Sequence, residues 1–278
     1  MSARQPADAP YVLGVNQAEL DRLGLQHQLW SEAAHALWER AGIQPGSTVL
    51  DVGCGPGFAT FDLGQIVGRH GRILAVDQAG LFLDYLAEQA RRRELGNVTT
   101  HRGDVQDLAG AGIPDGRADA AYARWVFCFV PDPAAVVRGI HRALRPGGVF
   151  TAQDYFNYET LTLAPRTPSL SRFVAAVGKS WRDRGGNPDI VGSLPGILHQ
   201  SGFDVREITP HLRIARPGSP LWQWPTTFIR NFLPELVKGG YLTERDQTDA
   251  FAEWDAASRS PSSFFFCPPV FDIIAVKR

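Results

Sequence analysis

Three glycines at alternate positions, Gly53, Gly55 and Gly57, end the run V-L-D-V-G-C-G-P-G that starts at Val49. An apolar run with one carboxylate that breaks into glycines reads as a buried parallel strand, a tight loop and a following helix. Glycine has no Cβ, so such a loop can take positive φ and let a ligand lie against its backbone. The spacing is G-x-G-x-G. A dinucleotide fingerprint would need a glycine at position 58, which is Phe58, and a phosphate loop would need G-K-[ST], which never occurs. The loop therefore suits a nucleoside ligand without a pyrophosphate. Asp77 closes the next apolar run, R-I-L-A-V-D. A carboxylate there can accept two hydrogen bonds from a ribose diol, or cap the helix that follows.

D-V-G-C-G-P-G with an acidic residue about twenty positions on resembles the first motif of the class I S-adenosylmethionine (SAM)-dependent methyltransferases, and of their small-molecule subgroup in particular. The resemblance is good over residues 11 to 155 and looser beyond. It implies SAM as cofactor, S-adenosylhomocysteine as product, and Asp51, Gly53, Cys54, Gly55 and Asp77 around the cofactor, with Gln78 bordering the adenine. Gly103-Asp104-Val105 matches the pair that meets the adenine edge, Asp107 being the alternative carboxylate. The run D-A-A-Y-A-R-W-V-F-C-F-V-P-D-P from Asp119 resembles the motif whose strand ends beside the reactive methyl. There Arg124, followed by Trp125, meets the SAM carboxylate or an acceptor anion, or else forms a surface ion pair. Many relatives carry a histidine within the stretch matched by Phe127 to Phe129, which here is F-C-F. L-R-P-G-G at Leu144 is a further family marker, a turn before a strand. Tyr11 matches an N-terminal tyrosine that closes over the cofactor. His27 and Tyr155 are the candidates for a catalytic role at the acceptor. Strand alternation sends Gln153 and Tyr155 to one face and Asp154 to the other, and one of these faces can line an acceptor pocket.

These residues need a scaffold that brings them to one edge. Short apolar or β-branched runs at 49–52, 72–77, 98–101, 118–127 and 149–155 alternate with helical segments at 61–67, 81–95 and 134–144. That rhythm means a parallel α/β sheet with helices on both faces, whose ligands bind beyond the strands' carboxyl ends. The resemblance makes it a Rossmann-like, seven-stranded methyltransferase sheet with a helical lid inserted near the C-terminus. Residues 1–46 are expected as a helical cap and 47–216 as the core, with an insertion at about 159–190. Residues 217–262 are expected as a Trp-rich lid and 263–278 as the final core strand. A sixth strand is expected over 205–215.

The 278 residues suffice for one elaborated domain with a sizeable core. A net charge of -1 argues against nucleic acid or an acidic membrane as partner. No signal peptide or apolar span is read, and three scattered cysteines suggest neither a disulfide framework nor a metal site, so a cytoplasmic protein is expected. The expected reaction is methyl transfer to a small aromatic or apolar metabolite, on oxygen before nitrogen or carbon. A homodimer is left open. The alternatives are a non-methylating enzyme on the same fold, an RNA or protein methyltransferase, and a non-catalytic SAM-binding protein.

Overall fold

The computed structural model describes residues 17–278, so Tyr11 lies outside the described residues. Its centre is a seven-stranded sheet in the order β3-β2-β1-β4-β5-β10-β7. Strands β1 (Thr48–Val52), β2 (Arg72–Asp77), β3 (Val98–Arg102), β4 (Ala118–Arg124) and β5 (Leu144–Tyr155) run parallel. Strand β10 (Val270–Lys277) runs antiparallel between β5 and β7 (Phe203–His211). β1 is central and covered on both faces, which is why Val49, Leu50 and Val52 all have to be apolar.

Helices α2 (Phe58–Val67) and α3 (Gly80–Arg92) pack on one face through Phe61, Leu63, Leu83 and Leu86. Helix α4 (Pro133–Ala143) covers the other through Val136, Val137 and Ile140, joined by Leu194 and Leu198 of α6 (Leu194–Gln200). The start of α4 is set by Pro133 and by Asp132, whose side chain accepts from the Ala135 N–H at 2.9 Å. The long α1 (Gln17–Arg40) serves both cores. Its Leu37 and Trp38 pack with α2 and α3, and its Trp30 packs with the opposite set.

The second half of the chain builds a cover over the carboxyl edge. It consists of α5 (Pro168–Asp183), α7 (Gln223–Lys238), α8 (Glu244–Arg259) and a three-stranded sheet of β6 (Thr162–Ala164), β9 (Phe264–Phe266) and β8 (Ile214–Ala215). Trp222 and Trp254 stack with centroids 4.4 Å apart, and the Glu253 carboxylate accepts from the Ser169 and Leu170 N–H groups at the start of α5.

Two sequence expectations change here. The strand expected over 205–215 is two strands in different sheets. β7 stops at His211, and Arg213 leaves the sheet to lie over the Trp30 ring at 4.0 Å while donating to the Leu29 carbonyl. The final strand also divides, because Pro268 and Pro269 offer no N–H to a ladder. β9 therefore joins the cover, and only β10 joins the core sheet.

Gln153 does not line a pocket. It is fully buried in a polar chain that crosses the sheet: Tyr122 donates to Gln153 Oε1 (2.9 Å), and Gln153 Nε2 donates to Asp272 (2.8 Å). Arg40 donates to Asp272 (2.7 Å) and to Glu207 (2.9 Å), tying the end of α1 to β10 and β7. Asp272→Ala would leave the buried Gln153 amide without its acceptor and take one of two carboxylates from the partly exposed Arg40. It is expected to cost about 1–3 kcal/mol, read as a lowered urea midpoint, with Asp272→Asn costing less because one acceptor oxygen survives.

Candidate active site

A cavity of about 600 Å³ opens at the carboxyl ends of β1, β2 and β4 and continues under the cover. Every expected site residue among the described ones lines it: His27, Asp51, Gly53, Cys54, Gly55, Asp77, Gln78, Asp104, Val105, Arg124, Trp125 and Tyr155. They divide into two halves of different chemistry.

The first half is the glycine loop and its surroundings. The three glycines, all at positive φ, do different jobs. A Cβ on Gly57 would come within 2.2 Å of Leu86, and one on Gly53 within 2.5 Å of Val126, so these two permit close packing of α3 and the β4 turn. A Cβ on Gly55 would meet nothing within 4 Å, because Gly55 faces the cavity. Asp77 holds this loop: one oxygen accepts from Gly55 N–H at 2.9 Å and the other from Ala79 N–H at 2.8 Å. A carboxylate has room for about four hydrogen bonds, so Asp77 retains acceptor capacity toward the cavity. Burial pushes its carboxyl above the usual range, against the pull of those N–H donors. Asp104 is exposed on the rim and caps the short 105–107 turn by accepting from Gln106 N–H at 2.9 Å. Asp107 accepts from the Gly110 N–H and is not among the residues that line the cavity.

Asp51 and Arg124 lie deeper. Asp51 is 2% exposed, accepts from Thr60 Oγ1 at 2.6 Å, and is pushed up to about 6 by burial, with Thr60 and the Arg124 charge pulling the other way. Arg124 Nη2 donates to His27 Nδ1 at 2.8 Å, while its Nη1 is buried with no partner. Since Arg124 only donates, His27 Nδ1 accepts, and the ring proton sits on Nε2, which donates to Asp62 at 3.0 Å. Burial, aided by the Arg124 charge, lowers the His27 pKa and keeps the ring neutral. Both ring nitrogens are engaged, so His27 orients Arg124 and has no lone pair left for an acceptor's proton.

The second half is aromatic. Trp125, at φ 53°, turns away from the sheet after its N–H reaches the Gln153 carbonyl (2.9 Å). Its ring lies beside Tyr155, Trp30 and Trp224 at 5.7–6.2 Å, so Trp125 belongs to this half rather than to the glycine loop. Asp154 fixes the turn by accepting from Phe127 (2.9 Å) and Tyr155 (2.9 Å) N–H groups. Burial raises the phenols of Tyr155 and Tyr158, which favours their protonated, donating forms. Sequence reasoning missed Arg22, Gln26 and Asp62. The first two had a signal: Glu19, Arg22 and Gln26 form a polar stripe at helical spacing on the face that carries Leu23 and Trp30.

A family model described as a methyltransferase domain matches residues 50–152, the segment that carries the glycine loop, Asp77, Asp104 and Arg124. Residues 50–152 thus carry a methyltransferase domain of the class I SAM-dependent kind. It is 34% identical to a 2-phytyl-1,4-naphtoquinone methyltransferase of Synechococcus elongatus, over 56% of this chain and 61% of that protein. It is 30% identical to an uncharacterized protein of a Streptomyces fradiae transposon, over 72% of this chain and 55% of that one. The chain thus spans less than two thirds of the length of these relatives. A putative methyltransferase structure from Bacillus halodurans shares the fold at a TM-score of 0.60 and 15% identity, covering 87% of this chain and 97% of that one.

The cavity fits the family's cofactor. Gly55 leaves backbone open to a ligand, Asp77 has unused acceptor capacity, and Arg124 Nη1 is a buried donor that lacks an anion. Asp51 beside Arg124 suits an ammonium next to a carboxylate, as in an amino-acid group. Ionised Asp51 favours that ammonium, so S-adenosylhomocysteine affinity should fall about tenfold as pH drops through about 6. Asp51→Asn should flatten that limb in calorimetric titrations, which separates Asp51 from Asp154, also raised to about 6. The stability sign is opposite. A raised folded pKa favours the protonated form, a contribution lost as pH rises through 6, so the unliganded Asn variant should melt higher than wild type at pH 8.

Proposed function

We propose that this protein transfers a methyl group from SAM to oxygen on a flat, largely apolar small molecule. The observation that carries the reading is the single cavity that joins the glycine-loop half to the aromatic half. Asp77 would hold the ribose hydroxyls, and Asp104 with the Val105 N–H the adenine edge. Gln78 and Cys54 border that nucleoside end, and Asp51 with Arg124 would hold the amino-acid end. When bound, SAM supplies an electrophilic methyl whose sulfur leaves as a neutral thioether, so no acid is required.

This chain's residues then contribute orientation and dryness. Trp125, Tyr155, Trp181, Trp224 and Phe228 give an acceptor broad ring surfaces and exclude water from the reacting centre. Positioning of this kind is worth roughly 7–11 kcal/mol in favourable cases. The naphthoquinone named for the Synechococcus relative has the flat, oxygen-bearing character this chamber suits. No helix among the described residues is long and apolar enough to cross a membrane, and the proposed partner is a soluble or extractable metabolite, not a lipid surface or a nucleic acid.

The test is transfer of labelled methyl from SAM to a panel of hydroxylated aromatic compounds, with product identified by mass. Labelled O-methyl product supports the reading, and SAM binding without transfer to any oxygen overturns it. Asp77→Ala should weaken S-adenosylhomocysteine binding about 100-fold, since it removes charged acceptors for the ligand and the clasp on Gly55. Asp77→Asn, which keeps one acceptor oxygen, should lose less. Wild-type affinity in the Ala variant would misplace the ribose.

A further inference from the structure

The aromatic half of the cavity contains a polar device built on Gln26. Gln26 of α1 is 6% exposed and lines the cavity. Its Oε1 accepts from Arg22 Nη1 at 2.7 Å and from Trp224 Nε1 at 3.0 Å. Both partners can only donate, so the atom facing them is the oxygen, and the amide cannot be turned over. The Nε2 group has no hydrogen-bond partner among the described residues, yet it is not sealed inside the protein. With so little of Gln26 exposed, its open NH₂ faces the cavity.

The orientation is secured one step further back. Arg22 is gripped by Glu19 through two bonds, Nε to Oε2 at 2.7 Å and Nη2 to Oε1 at 2.6 Å, and both residues are buried. A fork-to-fork ion pair of this kind fixes the guanidinium plane, and the guanidinium fixes the Gln26 oxygen. Trp224, on α7 of the cover, fixes it from the opposite element. The phenols of Tyr155 and Tyr158 also line this half, have no partner among the described residues and favour their protonated forms. The polar groups offered here are donors set in an aromatic wall.

We infer that Gln26, oriented by Glu19–Arg22 and Trp224, is a specificity-determining donor for acceptors whose oxygen is carbonyl or already ionised. The inference rests on the methyltransferase reading and deepens it. An oxygen that arrives ionised has no proton to lose, which agrees with a His27 whose two ring nitrogens are both engaged. A donor left unpaired in a nearly dry chamber is costly, so an acceptor without such an oxygen is rejected even when its rings fit.

The probe is 2-hydroxy-1,4-naphthoquinone, which is ionised at neutral pH, titrated calorimetrically into protein saturated with S-adenosylhomocysteine. Naphthalene is the apolar comparison. The decisive variant is Gln26→Glu, which keeps the oxygen that accepts from Arg22 and Trp224 and replaces only the NH₂ with an acceptor. Gln26→Leu removes both. We expect wild-type protein to bind the hydroxyquinone, Gln26→Glu to lose at least tenfold in affinity, and Gln26→Leu to lose less. Binding of S-adenosylhomocysteine should stay within twofold in Gln26→Glu, which also shows that the variant is folded. Naphthalene should not distinguish the Glu variant from wild type by more than twofold. Hydroxyquinone affinity unchanged in Gln26→Glu overturns the inference, as does wild-type protein that binds naphthalene at least as tightly as the hydroxyquinone. Failure of the wild type to bind S-adenosylhomocysteine at all is a different result, and it strikes the methyltransferase reading itself.

Discussion

A guanidinium in a nearly dry place needs a partner on every side, and Arg124 shows how this molecule answers that demand. His27 takes one Nη2 hydrogen and is itself held by Asp62, so three separate elements, α1, α2 and the end of β4, meet at one hydrogen-bonded chain. Asp51 supplies negative charge from β1. Among the described residues there is no acceptor for Nη1. Buried donors are rarely left unmade, because an unpaired group forfeits its hydration with nothing in return. A buried donor of this kind suits an anionic group of a ligand. The glycine loop, Asp77 and the aromatic chamber line the same cavity as that corner.

The division of the cavity follows from the division of the fold. The glycine-loop half is made from the ends of parallel strands, where backbone N–H groups and short carboxylates converge whatever the side chains elsewhere do. The aromatic half is made from α1, α5, α7 and the turn after β4, elements whose aromatic side chains meet. Trp30, Trp125, Trp224 and Tyr155 form a continuous set of ring contacts across these elements. Rings bury much area for little loss of rotamer freedom, which suits a wall that has to be stiff without a backbone ladder behind it.

The same division explains what could be read from the chain. The loop at Gly53 to Gly57 and the strand ending in Asp77 depend on contacts close in sequence or on one strand register, so their patterns survive as local text. Arg72–Asp77 was legible to the residue. Pairing between distant segments was not. Nothing local says that 214–215 will pair with 264–266, since two and three residues carry no period. Cys267-Pro268-Pro269 did carry a signal, the missing N–H groups, and it marks where the last strand had to divide. Gln153 was misplaced because alternation along a strand says which face a side chain takes, but not that Asp272 will be waiting on that face.

His27 and Gln26 are neighbours on one helix, and their contrast shows how position in the hydrogen-bond network, not residue type, assigns a role. A histidine is the usual choice for moving protons near neutral pH, yet here donors and acceptors surround it and fix one neutral tautomer. A glutamine has no acid–base chemistry, yet two donors consume its oxygen and leave its NH₂ directed into the cavity. The titratable residue has become scaffold, and the neutral one is free to read the ligand. Between these two neighbours the hydrogen bonds are spent on orientation, and neither side chain is left to act as a base.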